Sequence, residues 1–339
     1  MKKLLLTLLV AMLALPSFAR DIEYTYEGQT LTYTVIDEKA KTVRTKAGTI
    51  SSEDELIAGN PFSGYVKLVI PSQIEDGDEK YTVTEIGGYA FYKCWGLTSV
   101  TIPESVKEIG ENAFRECYEL TSVTIPESVK EIGEFAFREC GSLTYAEFAS
   151  IEALCGISFA DNYANPLSGA HKLYIDGKEV TSVTIPESVK EIKNYTFVGC
   201  SLTSITIPDG VTSIGSLAFS DCSSLTSITY LAKEPIEAGT DYWGNLIKFF
   251  DSTTYETATL YMSEAGKEAA KDIEPWKNFK NIKVYVPAST DDVIADFNED
   301  APYDVYNLNG VKVAESTDNL PAGIYIVRQG NTVKKIAVK

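Results

Sequence analysis

A mainly β solenoid with short helical turns is the fold this sequence predicts, and three observations predict it. The phrase VKEIGENAFRECYELTSVTIPES, starting at Val106, recurs as VKEIGEFAFREC from Val129 and as VTEIGGYAFYKCWGLTSVTIPES from Val83. The three starts are 23 residues apart, a spacing that belongs to solenoid repeats. Within each copy the apolar residues alternate as in a strand with one buried face, and a unit this short cannot bury its faces alone. The units must stack.

Residues 1–19 read as a secretory signal. Lys2 and Lys3 form a basic start, Leu4 to Leu15 an apolar stretch, and Ser17-Phe18-Ala19 a small-x-small cleavage site. The apolar stretch is too short to cross a bilayer, so the mature chain is expected to be exported with no membrane span. No cysteine stands at the signal boundary to take a lipid anchor, since the first is Cys94.

Hydrophobic residues make up 44% of the chain and charged residues 23%, which is a globular rather than a disordered composition. The formal charge is −18, and it falls to −20 once Lys2 and Lys3 leave with the signal. Such a surface repels phosphate backbones and anionic lipid, which argues against a nucleic-acid partner and against membrane-surface attachment.

Residues 20–63 contain no repeat. IEYTYEG, LTYTVID and KTVRTKAG are short Thr/Tyr/Val-rich runs separated by Glu27-Gly28 and Asp37-Glu38, a strand-and-hairpin pattern. A β-rich N-terminal cap is expected there, because an open solenoid end exposes strand edges and apolar rungs.

Repeats occupy residues 64–235. In Leu97-Thr98-Ser99-Val100-Thr101-Ile102 the two-residue period turns Val100 and Ile102 inward and Ser99 and Thr101 outward. Pro103 ends the strand, having no N–H to donate. Val106 and Ile109 supply a second inward pair, Gly110 turns the chain, and Ala113, Phe114 and Cys117 share one face of a short helical turn. Each rung is thus a strand, a bend, a short second strand and a helical turn. From Val129 the next equivalent start is Val189, 60 residues on, so an irregular insert lies at about 149–180. Val189 to Val211 is 22 residues. A bulge or kink is expected at each irregularity.

The pattern LTSVTIPESVKEIGENAFRECYEL resembles the BspA-type leucine-rich repeats of bacterial surface proteins. The resemblance covers about half of the chain, and the recurring order IP, V-x-x-IG, AF, C makes it specific. L-x-x-V-x-I matches the strand of leucine-rich repeats, while Pro-Glu-Ser-Val replaces the usual Asn/Cys-x-Leu after it. A leucine-rich-repeat solenoid is what the resemblance implies, with adhesion to a host extracellular protein or glycan, or to other surface proteins.

Residues 236–286 are predicted to form a C-terminal cap. Ser263 is a good N-cap for a helix over SEAGKEAAKD, Trp276 and Phe279 fold that segment onto the last rungs, and NIKVYV is a closing strand. Residues 287–302 form a polar, acidic linker. Residues 303–339 form a small β domain in which Asn309-Gly310 marks a hairpin. YNLNGVKV, LPAGIYIV and VKKIAVK are similar to the C-terminal sorting domains of proteins exported by the type IX secretion system. That similarity implies delivery to the cell surface or the medium, or a periplasmic location if the segment is not used.

Chemistry is sparse. Cys94, Cys117, Cys140, Cys200 and Cys222 share one repeat position, and Cys155 does not. Rungs about 4.8 Å apart are within disulfide reach, and an exported protein meets an oxidising compartment. Three equivalent residues in a row cannot pair evenly, however, so a column of buried small hydrophobes is the favoured reading. No C-x-x-C occurs and His171 is the sole histidine, so no metal site and no cofactor are expected. G-x-S-x-G, H-E-x-x-H and phosphate loops are absent. His171 lacks a sequence signature for nucleophilic catalysis, and Glu104, Glu127 and Glu187 fall at repeated positions that read as solvated turns. Asp296 to Asp300 has D-x-N-x-D spacing, but Ala301 replaces the glycine of a calcium loop. An envelope hydrolase is therefore only a remote third class, kept because carboxylates are plentiful.

The outward strand positions are the most function-like feature. Ser99/Thr101, Ser122/Thr124, Ser182/Thr184, Ser204/Thr206 and Ser227/Thr229 form a hydroxyl ladder on the face that solenoids use for binding. Cross-strand Thr pairs also stabilise sheets without any ligand. The insert is the better place for specificity, because Phe159, Asn162, Tyr163 and Asn165 break an otherwise uniform surface. Two readings follow: non-catalytic binding through the solenoid, or a structural surface protein with no dedicated ligand.

Overall fold

The computed structural model describes residues 20–46, 66–240, 244–285, 303–307, 310–314, 323–329 and 332–338. The signal at 1–19, the linker at 287–302 with its D-x-N-x-D run, and the turns at 316–320 and 330–331 lie outside the described residues.

Alternation within the LTSVTIP segments builds the first strand column. Val66–Val69, Leu97–Thr101, Ser122–Ile125, Tyr145–Phe148 and Leu173–Ile175 pair in parallel, with Ser99 opposite Ser122 and Ser122 opposite Tyr145. Val100, Val123 and Ala146 are buried, as the two-residue period requires. The KEIG segments build a second column, in which Thr42–Thr45, Glu79–Ile86, Glu108–Ile109, Glu131–Ile132 and Ser158–Phe159 pair in parallel. Both columns stop at the irregular rung. An antiparallel strand, Lys178–Glu179, closes the first, and a new sheet starts at Ser182–Thr184 and continues through Ser204–Ile207 and Ser227–Tyr230. The solenoid therefore has two halves over one continuous apolar core.

Residues 149–180 are not an excursion from the solenoid. Ala146 pairs with Leu173 and Ile132 with Phe159, so the segment is one long rung containing the helices Ile151–Gly156 and Leu167–Ala170. Ser150 caps the first helix by accepting from the Ala153 amide.

Ala113, Phe114 and Cys117 face inward as their spacing predicts, but the segment is not a continuous helix. Bonds such as Ala113 N–H to Gly110 O close tight turns, while alternate amides reach the next rung: Asn112 to Glu134 O (2.8 Å), Phe114 to Ala136 O (2.9 Å) and Glu116 to Arg138 O (2.9 Å). Asn112 and Glu116 adopt left-handed φ of 52° and 60° to make this possible. Each regular rung thus contributes to a third ladder, here called the turn edge.

Three residues of the repeat are explained by stacking. Phe91, Phe114 and Phe137 stack face to face with centroids 5.3 Å apart, and Phe197, Phe219 and Phe250 do the same at 5.4 and 4.9 Å. The thiols of Cys117, Cys140 and Cys222 donate to the Phe carbonyls of the preceding rung at 3.0–3.2 Å. Gly110 is required by close approach, because a Cβ there would lie 2.4 Å from Gly88 N; at Gly133 it would lie 2.5 Å from Glu111 N. Where the column breaks the glycine is dispensable, and Lys193 stands in its place.

The N-terminal hairpin Asp21–Tyr26/Gln29–Asp37 feeds Thr42–Thr45 into the second column, which caps it. The Gln29 side chain serves the exposed edge of the first column, donating to Lys67 O and accepting from Val69 N–H. At the other end the strand ladder runs on past residue 235, through Thr259–Met262 and Asn281–Val284 in parallel register with Ser227–Tyr230. The predicted cap thus joins the strand ladder of the solenoid. Trp276 seals this end, fully buried against Tyr230, Phe249 and Phe250, with Nε1 donating to Ile236 O at 2.7 Å. Ser263 caps the helix Glu264–Ala270, as predicted. Beyond it, Asp304–Tyr306, Lys312–Ala314, Gly323–Gln329 and Thr332–Val338 form a four-stranded antiparallel sheet.

Candidate functional site: the outer strand face

The hydroxyl ladder exists as a register, and its two halves differ. In the first half Thr101 and Thr124 are exposed and Ser99 and Ser122 half-buried. The adjoining threonines tie the rungs together. Thr121 Oγ1 donates to Thr98 O (3.1 Å) and Thr144 Oγ1 to Thr121 O (2.9 Å), so each rung caps the one before. That leaves the Ser99/Thr101 and Ser122/Thr124 rows as the outward surface.

Past Thr124 the surface changes character. The row Ser122/Thr124 is followed by Tyr145/Glu147, and then by Tyr174. The half-buried rings of Tyr145 and Tyr174 lie 4.5 Å apart at 35°. Glu147 is held beside them, accepting from the Gly177 amide at 2.7 Å and from Thr124 Oγ1 at 3.4 Å. Lys172 and Glu179 form an ion pair of 3.3 Å at the far rim. A neutral hydroxyl strip therefore ends in a tyrosine pair with an anchored carboxylate. Sequence reasoning missed these two tyrosines; the signal was YAEF standing where SVTI stands in the other copies.

In the second half Ser182 and Thr184 are exposed, and Ser182 Oγ bonds Ser204 Oγ at 2.6 Å. Ser204, Thr206 and Ser227 are half-buried, and Thr229, predicted to face outward, is only 2% exposed. It lies between Thr206 and Tyr261 in register, and Tyr261 is itself buried. A cleft of about 180 Å³ on this side is lined by Ser204, Thr206 and Ser227 together with Asn307 and Val311 of the C-terminal sheet. The second half of the ladder is thus a partly covered surface.

Tyr174 and Gly177 apart, the irregular rung does not join this face. Phe159 is 5% exposed and occupies the inward place of Ile132, so it is a core residue rather than a binding one. It borders an open cleft of about 330 Å³ at the break between the halves, lined also by Ser158, Glu191, Lys193 and Asn194. Asn165 is buried and structural, its amide donating to the Tyr195 and Thr196 carbonyls at 2.9 Å. Asn162 is half-buried, and Tyr163, 41% exposed, packs beside Phe135 on the turn edge. His171 is exposed at the end of the helix Leu167–Ala170, where Nδ1 donates to Gly199 O at 2.8 Å, a structural bond.

All six cysteines are buried free thiols. Burial pushes the thiols of Cys140, Cys155 and Cys200 up to about 12, which keeps them protonated and unreactive. Glu104, Glu127 and Glu187 are exposed, as expected of solvated turns. Glu85, Glu108 and Glu131 stack in register on the second column, and partial desolvation in that stack, followed by the neighbouring Glu85 and Glu131, raises the carboxyl of the exposed Glu108 above the usual range. Among the described residues no group of three or more His, Cys, Asp or Glu side chains is gathered to hold a metal ion, and no helix is long and apolar enough to cross a membrane.

No curated protein sequence matches the chain. Among solved structures it is similar to a leucine rich cell surface protein from Faecalibacterium prausnitzii A2-165, at 24% identity over 72% of this chain and 71% of that one, with a TM-score of 0.41. It is similar to a T. pallidum leucine rich repeat protein at 26% identity over 59% and 68%, TM-score 0.32. A leucine-rich repeat protein from Bacteroides capillosus ATCC 29799 aligns at 27% identity over 43% of this chain and 94% of that one, TM-score 0.33. The family model described as BspA type Leucine rich repeat region matches six copies, over residues 73–164 and 172–241. Residues 73–164 and 172–241 of the solenoid are thus similar to BspA type leucine-rich repeats.

Proposed function

We propose that this protein is a non-catalytic binding protein displayed outside the cell, and that the outer strand face of its first half takes a glycan. The Tyr145–Tyr174 pair is the observation that carries the reading. Aromatic rings present an apolar face with a polar tip, which suits the apolar faces and hydroxyls of a sugar. Ser122, Thr124 and the anchored Glu147 supply uncharged donors and one acceptor beside the rings. Display outside the cell is supported by the signal-like residues 1–19, by the resemblance of residues 303–339 to sorting domains, and by repeats of a type that bacterial surface proteins carry. The sparse catalytic inventory favours recognition over turnover.

A second reading, a structural surface protein without a dedicated ligand, is favoured by the hydroxyls that bond within the ladder, such as Ser182 to Ser204. An array of immobilised polysaccharides and oligosaccharides, probed with the full exported chain, separates the two. Saturable binding at micromolar concentration supports recognition; an array with no such spot supports the structural reading. Deleting residues 303–339 tests display: periplasmic retention is expected, and normal surface exposure of the truncated chain contradicts it.

A further inference from the structure

The turn edge of the first half carries a second surface that the glycan reading does not use. Eight large hydrophobic side chains are exposed among the described residues, and four of them lie along this edge: Tyr89, Trp95, Tyr118 and Tyr163, at 39–42%. Trp95 lies against Tyr118 with centroids 6.4 Å apart, and Tyr89 against Tyr92 at 5.8 Å. Lys93 and Arg115 sit over the Tyr92 ring at 5.3 and 5.7 Å, and Arg138 sits over Phe135 and Tyr163 at 5.4 Å. Trp, Tyr and Arg are the residues in which protein–protein binding energy concentrates.

Stacking does not require these side chains. The second-half rungs build the same turns with Val198, Ser220, Ser201 and Ser223 at the places of Tyr92, Arg115, Trp95 and Tyr118. Tyr89 and Phe135 are also held at left-handed φ of 57°, a conformation costly for a bulky side chain, where the intervening rung places Asn112 at 52°. Asparagine tolerates that conformation, so the rings are kept there at a cost to the fold. In the second half the same place is taken by Tyr195 at 59° and Leu217 at 54°, both half-buried, and Tyr195 packs onto the core.

We propose that the edge formed by Tyr89, Trp95, Tyr118 and Tyr163 is a protein-docking surface, and that its partner is a folded protein with an apolar patch ringed by basic residues. Charge selects that partner. Glu111, Glu119, Glu134 and Glu139 are exposed around the rings, and Arg115 and Arg138 are already paired with Glu116 (3.5 Å) and Glu139 (3.3 Å). The rim is therefore acidic, and the chain as a whole carries −18, which disfavours a second copy of itself. A charged rim with no hydroxyl strip also suits a protein better than a neutral glycan.

The test probes an array of purified folded proteins, spanning basic to acidic surface charge, with the full chain. Tyr89→Asn, Trp95→Ser and Tyr118→Ser are the variants, each new residue being one that a sister rung already carries. Dissociation constants are read at low and high salt, with melting curves for every variant. Docking predicts at least one basic protein bound at micromolar concentration or tighter, weakened tenfold or more by each substitution and also by salt. Tyr89→Asn should melt no lower than wild type. An array with no bound protein overturns the proposal. So does binding that the three variants retain, or that Thr124→Glu on the strand face abolishes while they do not. Self-association in light scattering that the variants abolish would put a second copy on the edge and likewise defeat it. Glycan binding is expected to persist in all three variants, so failure here leaves the strand-face reading standing.

Discussion

Lys193 reaches across the break between the two halves of the solenoid, its Nζ donating to Gly156 O at 2.7 Å and to Ser158 Oγ at 3.1 Å. It stands at the rung position that Gly110 and Gly133 hold in the first half. Flush stacking forbids a side chain at those glycines, and loss of flush stacking permits one at 193. Lys193→Met should keep the stem and lose the bridge, costing about 1 kcal/mol. Amide hydrogen exchange is expected to accelerate around residues 157–160 and 191–195. Unchanged protection there would show that the halves are held together without it.

Gly110→Ala should destabilise by about 3 kcal/mol, since the new Cβ meets the backbone of Gly87 and Gly88, which cannot move without breaking the ladder. Gly141→Ala is the control. Its Cβ would enter open space, and its melting temperature should stay within about 1 °C of wild type or rise slightly. Equal melting of the two variants would refute the close-approach account.

Much of the architecture was legible because repeats report their own register. The strand columns, the inward Phe and Cys, the cap helix at Ser263 and the sealing role of Trp276 all follow from spacing and residue type. The turn edge does not, because Ala113, Phe114 and Cys117 at i, i+1 and i+4 satisfy both a helical turn and a chain of tight turns; only the inter-rung amides of Asn112 and Glu116 decide between them. Phe159 reads as a surface residue in sequence because its rung lacks the AF and C marks, and the pairing of Phe159 with Ile132 is a tertiary fact. The strand period places Thr229 outward correctly, but what lies beyond it covers it. The exposed rings at 89, 95 and 118 are visible as positions that vary between otherwise identical copies.

The buried thiols give a chemical test of the core. At pH 8 the native protein should react negligibly with a water-soluble disulfide reagent, because burial holds thiols such as Cys140 at about 12. Unfolding in guanidinium without reductant should release six reactive thiols. Fewer than six would mean that the column forms disulfides.

Glu108 gives the pH signature. Its carboxyl is raised by partial desolvation in the stack and by its like-charged neighbours, so the native state binds that proton more readily than the unfolded chain. Ionisation at neutral pH therefore works against folding, and stability from this group increases as pH falls from neutral into the carboxylate range. Glu108→Gln should melt about 1 °C higher than wild type at pH 7, and the gain should shrink as pH is lowered. A variant that melts lower at pH 7 would contradict this.

The most direct test of the binding account is the dissociation constant for a glycan that the full chain captures, compared between wild type, Thr124→Glu and Thr206→Arg. Thr124 lies beside Tyr145 and Glu147 on the open half, whereas Thr206 borders the cleft shared with the C-terminal sheet. The account predicts that Thr124→Glu weakens binding at least tenfold with an unchanged melting temperature while Thr206→Arg leaves it within twofold; an unchanged constant for Thr124→Glu would contradict it.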